Sequence, residues 1–343
     1  MKVIIGVDPH KASHTAVAVD EREDEISRLT VRATRRQVEQ LRRWATPFAE
    51  RVWAIESASG LGYLLSQQLV GAGERVIDVP ATLAARVRVL GTGRSNKNDP
   101  NDARSVAVAA LRSPTLSEVR EADHAAVLRL LTKRNLDLGR ERNRVACRLH
   151  VMIAELVPGG YGKELTSGHA ERILATVRPT TPVDGARLAM ARELLVDMRR
   201  LDVQMKDLKR RIAQAVTASK TSVTDIFCVG PIIASLLVAY TGDVRRFGNR
   251  HRFAAYNGTA PIEVSSAGRV VHRLSRRGNR TLNYAIHMAA IGQIRHPDSA
   301  GRAFYDRKVA EGKTGREALR ALKRRISDAV YHQLLIDAHR RQG

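Results

Sequence analysis

The sequence predicts an α/β domain at the N-terminus, a long helical middle, and a mostly helical, very basic C-terminal part. Three observations predict it. Residues 1–115 alternate short β-branched runs with helical stretches. Residues 120–157 and 185–217 carry apolar stripes at three–four spacing. Residues 220–343 read as helical, with clustered arginines. A chain of 343 residues is too long for one small domain. The expected units are 1–118, 119–219 and 220–343.

Val3 to Val7 is a short apolar run rich in β-branched residues. His14 to Asp20 and Ile26 to Ala33 follow closely, with turn-like breaks between them. An antiparallel meander is expected. A helix then covers about Arg36 to Glu50, and Arg51 to Ile55 is a fourth strand. Gly60 to Val70 is a second helix, and Arg75 to Val79 a fifth strand closed by Pro80. Three strands followed by helix–strand–helix–strand is the order of the RNase H-like fold. Other α/β folds share that order.

In the stretch 120–157, Val127, Leu131, Leu138, Val145, Leu149, Met152 and Leu156 form one stripe, which Pro158-Gly159-Gly160 ends. A loop containing Pro179 and Pro182 is expected next. The helix at 185–217 carries Ala191, Leu195, Met198, Leu201, Met205, Leu208 and Ile212. Both stripes suit an intramolecular antiparallel hairpin or an oligomerising coiled coil.

Charge narrows the partners. The sequence holds 58 Lys+Arg against 35 Asp+Glu, a net charge of +23. Such a field attracts nucleic acid and releases its counterions. No apolar run approaches the roughly 20 residues that span a bilayer, so no membrane partner is expected. Aromatics are 4% of the chain, which disfavours a single-strand binder built on stacking. The two cysteines, Cys147 and Cys228, match no zinc spacing and suit a reducing cytoplasm. The N-terminus runs straight into a strand and does not read as a signal peptide.

Four carboxylates fall where a scaffold presents functional groups. Asp8 ends the first strand and Glu56 the fourth. Asp99 and Asp102 lie in Lys97-Asn98-Asp99-Pro100-Asn101-Asp102-Ala103-Arg104, at an expected helix start. Phosphodiester cleavage by two metals needs hard oxygen ligands holding the ions about 3.5–4 Å apart. Magnesium suits such a set. Each acid also has a structural alternative. Asp99 before Pro100 reads as a helix cap, with Asp102 at the third helical position. Asp8 before Pro9 reads as a turn residue, and Glu56 as an arginine partner.

Farther on, Gly230 and Pro231 start a helix in a helix-hairpin-helix-like turn, whose free N–H groups can hold a phosphate. Ser265-Ser266-Ala267-Gly268 reads as a flexible loop, with Arg269, Arg273, Arg276, Arg277 and Arg280 after it. A positioned serine can attack a phosphodiester, and arginines can offset the transition-state charge. The structural alternative is a surface turn.

The sequence resembles the DEDD transposases of bacterial insertion sequences, relatives of the Piv and MooV DNA invertases. The resemblance rests on Gly6-Val7-Asp8 with Lys11, on Ile55-Glu56-Ser57, and on the stretch from Lys97 to Arg104. It also rests on Val229 to Asn279, including Gly242-Asp243, Arg246-Phe247, Ala255-Tyr256, Gly258, Pro261, the serine pair and Arg277-Gly278-Asn279. It implies an RNase H-like (RuvC-like) domain whose Asp8, Glu56, Asp99 and Asp102 bind two Mg2+ ions. It implies a C-terminal serine that links to DNA. That serine usually precedes a glycine and stands five residues after the proline, which maps to Ser266. Ala267 stands in the glycine's place, so Ser265 stays open as the nucleophile. The resemblance further implies donor and target DNA, a guiding bridge RNA from the element's flanks, and dimers pairing into tetramers. Lys11, Lys97, Arg104, Gly230, Asn279 and the five arginines are the expected nucleic-acid contacts. Two other functions remain open: a Holliday-junction-type metal-dependent nuclease using water, and a nucleic-acid-binding protein without chemistry.

Overall fold

The computed structural model describes residues 2–92, 98–113, 116–162, 164–266, 269–274 and 278–340, with backbone only for 90–92, 262–266 and 269–274. The chain divides into two compact units, Met1–Ala122 and Asp123–Gly343.

The first unit runs β1 (Lys2–Pro9), β2 (Ser13–Val19), β3 (Glu25–Arg32), α1 (Gln37–Trp44), β4 (Glu50–Glu56), α2 (Tyr63–Gly71), β5 (Val76–Val79), α3 (Ala81–Thr92), α4 (Asp99–Arg112) and β6 (Ser117–Glu118). The sheet order is β3-β2-β1-β4-β5-β6. The first three strands are antiparallel, β4 and β5 run parallel to β1 and to each other, and β6 returns antiparallel. This mixed sheet is the RNase H-like arrangement expected from the element order. The first helix is shorter than expected. Pro47 follows three residues after its end and bars a helical conformation at the residue before it. Helix α3 was not foreseen. Pro80 closes β5, and its carbonyl also accepts the N–H groups of Leu83 and Ala84, so one proline ends a strand and begins a helix.

Strand alternation divides the core. Val3, Ile5, Val7, Trp53 and Ile55 pack with Leu41, Leu65 and Leu69 from α1 and α2. Ile4, Val17, Val19, Val52 and Ala54 pack on Ala103, Val106, Ala107 and Ala110 of α4. The even-numbered positions of β1 and β4, among them Asp8 and Glu56, therefore belong to the face that α4 covers.

The second unit runs α5 (His124–Leu156), α6 (Ser167–Thr176), α7 (Pro182–Ala218), a tight turn at Ser222–Asp225, α8 (Pro231–Thr241), a second at Val244–Phe247, α9 (Arg250–Tyr256), β7 (Pro261–Ser266), β8 (Arg269–Leu274), α10 (Arg280–Arg295), α11 (Ala300–Ala310) and α12 (Gly315–Arg340). Helices α5 and α7 pack antiparallel. Arg142 reaches Asp202, and Arg187 reaches Glu155 at 3.1 Å. The α7 stripe is buried at Ala191, Leu195, Met198, Leu201, Leu208 and Ile212. The α5 stripe is rotated at its start: Leu128 is fully buried and Val127 is 52% exposed. There Leu128 joins the cluster shared by α7, α8, α10 and α12.

Pro182 lies in the first turn of α7, not in a loop, because Thr181 caps that helix by accepting the Asp184 N–H. The serine pair lies at the end of a strand, not in a loop. Ser266 pairs with Arg269 and Ser265 with Val270 in a two-stranded hairpin. Among the described residues, no helix is long and apolar enough to cross a membrane.

Candidate functional site

The first unit gathers carboxylates at the C-terminal ends of its two central parallel strands. Register pairs Gly6 with Ala54 and Val7 with Ile55, so one step further sets Asp8 beside Glu56. Helix α4 brings the other two acids. Its approach depends on Gly6: a Cβ there would lie 2.1 Å from the Ala103 carbonyl oxygen and 2.5 Å from the Ala107 nitrogen. Only a residue without a Cβ lets α4 sit on β1 this closely. Ser57 turns the chain sharply after Glu56, with φ of 50°, and its N–H donates to the Val79 carbonyl. A left-handed serine is uncommon, and such strain gathers at functional sites.

The capping alternative for the helix acids does not hold. Asn98 is the cap, and its side chain accepts the Asn101 N–H at 2.9 Å. Asp99 and Asp102 are left free of that duty. Asp102 is held by Arg88 on α3. Asp99 lies 3.5 Å from the Nε2 of His10, which also lies 3.1 Å from Asp8. Asp8 is no turn residue: it is paired within β1 and only 6% exposed.

Burial pushes the Asp8 carboxyl above its ordinary range; His10 opposes this, while Asp102 and Asp99 reinforce it. Burial also raises Glu56, helped by the charges of Asp8 and Asp102 and by a hydrogen bond with Asp8, against a lowering pull from Arg88. Two acids are thus driven toward holding protons by enclosure and by neighbouring carboxylates. A divalent cation would offset that repulsion, and four carboxylates are the hard oxygen donors it prefers. The residues fit a metal site. Asp8, His10 and Asp99 each offer a donor atom within 4.8 Å of the others.

His10 and Arg88 were missed in the sequence. His10 follows Asp8-Pro9 directly, and a histidine two residues beyond a strand-end acid was the available signal. Arg88 was hidden because its helix was.

The remaining expected contacts are scattered. Lys11 is exposed beyond β1. Arg104 donates to the Glu23 carbonyl at 2.8 Å. Gly230 is exposed at the start of α8, where among the described residues no side chain caps the first amides. Asn279 caps α10 by accepting from Thr281 and Leu282, and Arg280 is exposed beside it. Lys97, Arg276 and Arg277 lie outside the described residues, as do the side chains of Ser265, Ser266, Arg269 and Arg273. The base of the hairpin is described and tightly held. A Cβ on Gly278 would lie 2.5 Å from the Gly258 nitrogen, and Asn283 donates to the carbonyls of Asn257 and Gly258.

Residues 5–158 match the DEDD family of IS110 type, described as "Transposase". Residues 221–306 match the "Transposase IS116/IS110/IS902 family". An insertion element IS116 protein of Streptomyces clavuligerus is 26% identical, over 97% of this chain and 94% of its own length. An insertion element IS900 protein of Mycobacterium paratuberculosis is 27% identical, over 96% and 94%. Among solved structures, T. thermophilus RuvC in complex with a Holliday junction aligns over 35% of this chain and 100% of its own, at 16% identity and a TM-score of 0.28.

By class the protein is a DNA transposase. It carries two transposase domains of the IS110/IS116/IS902 family, over residues 5–158 and 221–306. A DEDD transposase domain implies use of a divalent metal and a DNA substrate.

Proposed function

We propose that this transposase cuts and rejoins donor and target DNA through a covalent serine–DNA intermediate. Asp8, Glu56, Asp99 and Asp102 hold two Mg2+ ions, and Ser266 is the nucleophile, with Ser265 as its neighbour on β7. One observation carries the reading. Acids from three separate stretches of sequence converge on one sheet face, and burial holds two of them above their ordinary range.

Bound Mg2+ supplies Lewis-acid stabilisation of charge on the phosphate oxygens. The chain's own residues do the rest. Arg88 holds Asp102 in place, and the turn at Ser57 fixes the end of β4. The serine hydroxyl attacks phosphorus: its oxygen forms one ester bond, and the bond to a deoxyribose oxygen breaks. The serine proton leaves as the sugar oxygen gains one. The number of phosphoester bonds is unchanged, so the reverse reaction joins a new strand without an energy source. Arg269, Arg273, Arg276, Arg277 and Arg280 offset charge on that phosphate. The open amides at Gly230, with Lys11, Lys97, Arg104 and Asn279, are further backbone contacts.

The resemblance to bridge-RNA-guided recombinases supports a guide from the element's flanks, leaving base pairing to read sequence. The charge of +23 agrees with a protein that grips backbones. Self-association into dimers and tetramers rests on the resemblance alone.

The test combines the protein, RNA from the native flanks, labelled donor and target DNA, and Mg2+. Denaturing gels are run with and without protease. The expected product is a protease-sensitive, slowly migrating DNA band, lost in Ser266→Ala and in Asp8→Ala. Free cut ends that persist in Ser266→Ala would instead mean a Holliday-junction-type nuclease that uses water. A band retained in Ser266→Ala and lost in Ser265→Ala would move the nucleophile by one residue.

A further inference from the structure

His10 stands inside the carboxylate cluster, and nothing in the reaction above uses it. Its position is defined from both sides of the backbone. Pro9 precedes it, and its N–H donates to the Ser13 carbonyl at 2.9 Å across the β1–β2 turn. Its Nε2 reaches Asp8 at 3.1 Å and Asp99 at 3.5 Å. An imidazole nitrogen and two carboxylate oxygens this close are spaced as donors to one ion.

The cluster has two sides, with Asp8 shared between them. On the inner side stand Glu56 and Asp102. Glu56 ends β4 beside Asp8 in the strand register, and the Asp102 side chain is 14% exposed and braced by Arg88. That side offers oxygen donors only. On the outer side stand Asp99 and His10, with side chains 55% and 48% exposed. That side offers a nitrogen. Magnesium favours carboxylate and water oxygens and loses little water willingly. Imidazole suits the later divalent ions, whose affinity for nitrogen donors rises from manganese toward copper.

The geometry points to His10 Nε2 as the nitrogen ligand of the outer position, completed by Asp8 and Asp99, so that this position takes a transition-metal ion such as Mn2+ in preference to Mg2+. The inference rests on the metal-binding reading of the acids given above. The two positions are then chemically unequal, with an all-oxygen inner one and a mixed outer one. The competing role for His10 is a positive brace between two carboxylates. A brace would never share a bond with the ion.

The experiment uses the full chain loaded with Mn2+. Electron spin-echo envelope modulation reads nitrogen coupled to the manganese directly, and calorimetric titration gives Mn2+ and Mg2+ affinities. Wild type, His10→Ala, His10→Gln and Asp8→Asn are compared, with circular dichroism to confirm folding. The expected result is a nitrogen coupling in wild type that disappears in both His10 variants. Their Mn2+ affinity should fall about tenfold or more, a loss that even an outer partner of a ligand produces. Their Mg2+ affinity should change far less.

Bound Mn2+ without nitrogen coupling, or coupling that survives in His10→Ala, would overturn the assignment while leaving the carboxylates as ligands. So would an equal loss for both metals. Failure of wild type to bind Mn2+, or undiminished binding by Asp8→Asn, would instead remove the metal reading beneath it.

Discussion

The carboxylate centre and the serine hairpin are built in opposite ways. Each acid of the centre ends or begins an element that is buried elsewhere along its length. Behind Asp8 lie Ile4 and Gly6, with α4 pressed on them; behind Glu56 lie Val52 and Ala54. The hairpin has no such backing in its sheet, because among the described residues β7 and β8 pair only with each other. A two-stranded ribbon is marginal by itself. Its geometry is set at its base, by Gly278 on Gly258 and by Asn283. A metal centre needs ligands fixed before the ion arrives. If the serine pair attacks DNA as proposed, a ribbon anchored at one end would serve it.

The sharpest way to break this contrast is Asp8→Asn. Strand cleavage should fall more than about a hundredfold, beyond what loss of an outer partner of a metal ligand costs. Without metal, the variant's melting temperature at neutral pH should equal or exceed that of wild type. The raised Asp8 charge works against the fold, and the substitution removes it. A marked drop in metal-free melting temperature would count against a site held under repulsion.

The two glycines should separate the regions next. Gly6→Ala forces a Cβ onto the Ala103 carbonyl and should cost about 1–3 kcal/mol, as overpacking does, with loss of metal-dependent stabilisation. Gly278→Ala should leave metal binding intact and lower the yield of covalent adduct. Thermal unfolding with and without Mg2+, run beside the adduct assay, reads both. Equal loss of metal response in the two variants would erase the distinction.

A smaller effect is expected at the cap. Asn98→Ala should destabilise the first unit by about 1 kcal/mol, read by denaturant unfolding.

The pH dependence of stability should carry both signs within the first unit. Burial alone would raise Glu74, but hydrogen bonds from Arg51, Trp53 and Arg42 outweigh it and leave the carboxyl lowered. Its contribution is present above the unfolded value near ~4.3 and is lost as pH falls through the folded value. Glu74→Gln should therefore flatten the acid limb by about 1–3 kcal/mol. Asp8 and Glu56 are raised, so metal-free stability should decline as pH rises through their folded values, and Mg2+ should restore it. Chemical denaturation across pH, with and without metal, tests both limbs.

Much of this was legible in the residues. The five main strands were readable because β-branched runs between turn residues mark strands well. Their order put Asp8 and Glu56 on neighbouring strand ends. Helix α3 was not legible, because Ala81–Thr92 mixes arginines with small apolar residues and shows little stripe. Arg88 was lost with it. Helix α6 hid between prolines and glycines. The β7–β8 hairpin is only half legible: Ile262 and Val264 alternate as a strand does, but the serine pair with Ala267 and Gly268 reads as a loop. The pairing of His10 with Asp99 joins residues far apart in sequence, and no local pattern announces it.

The start of α4 bears on how copies of such an element age. Asn98 and Pro100 set where the helix begins. Apart from the few tenths of a kcal/mol that a carboxylate gains at a helix N-terminus, Asp99 and Asp102 contribute little to starting it. A lineage released from selection on its chemistry would shed those acids and keep the helix. What keeps acids behind a self-sufficient cap is what they bind, not the helix they begin.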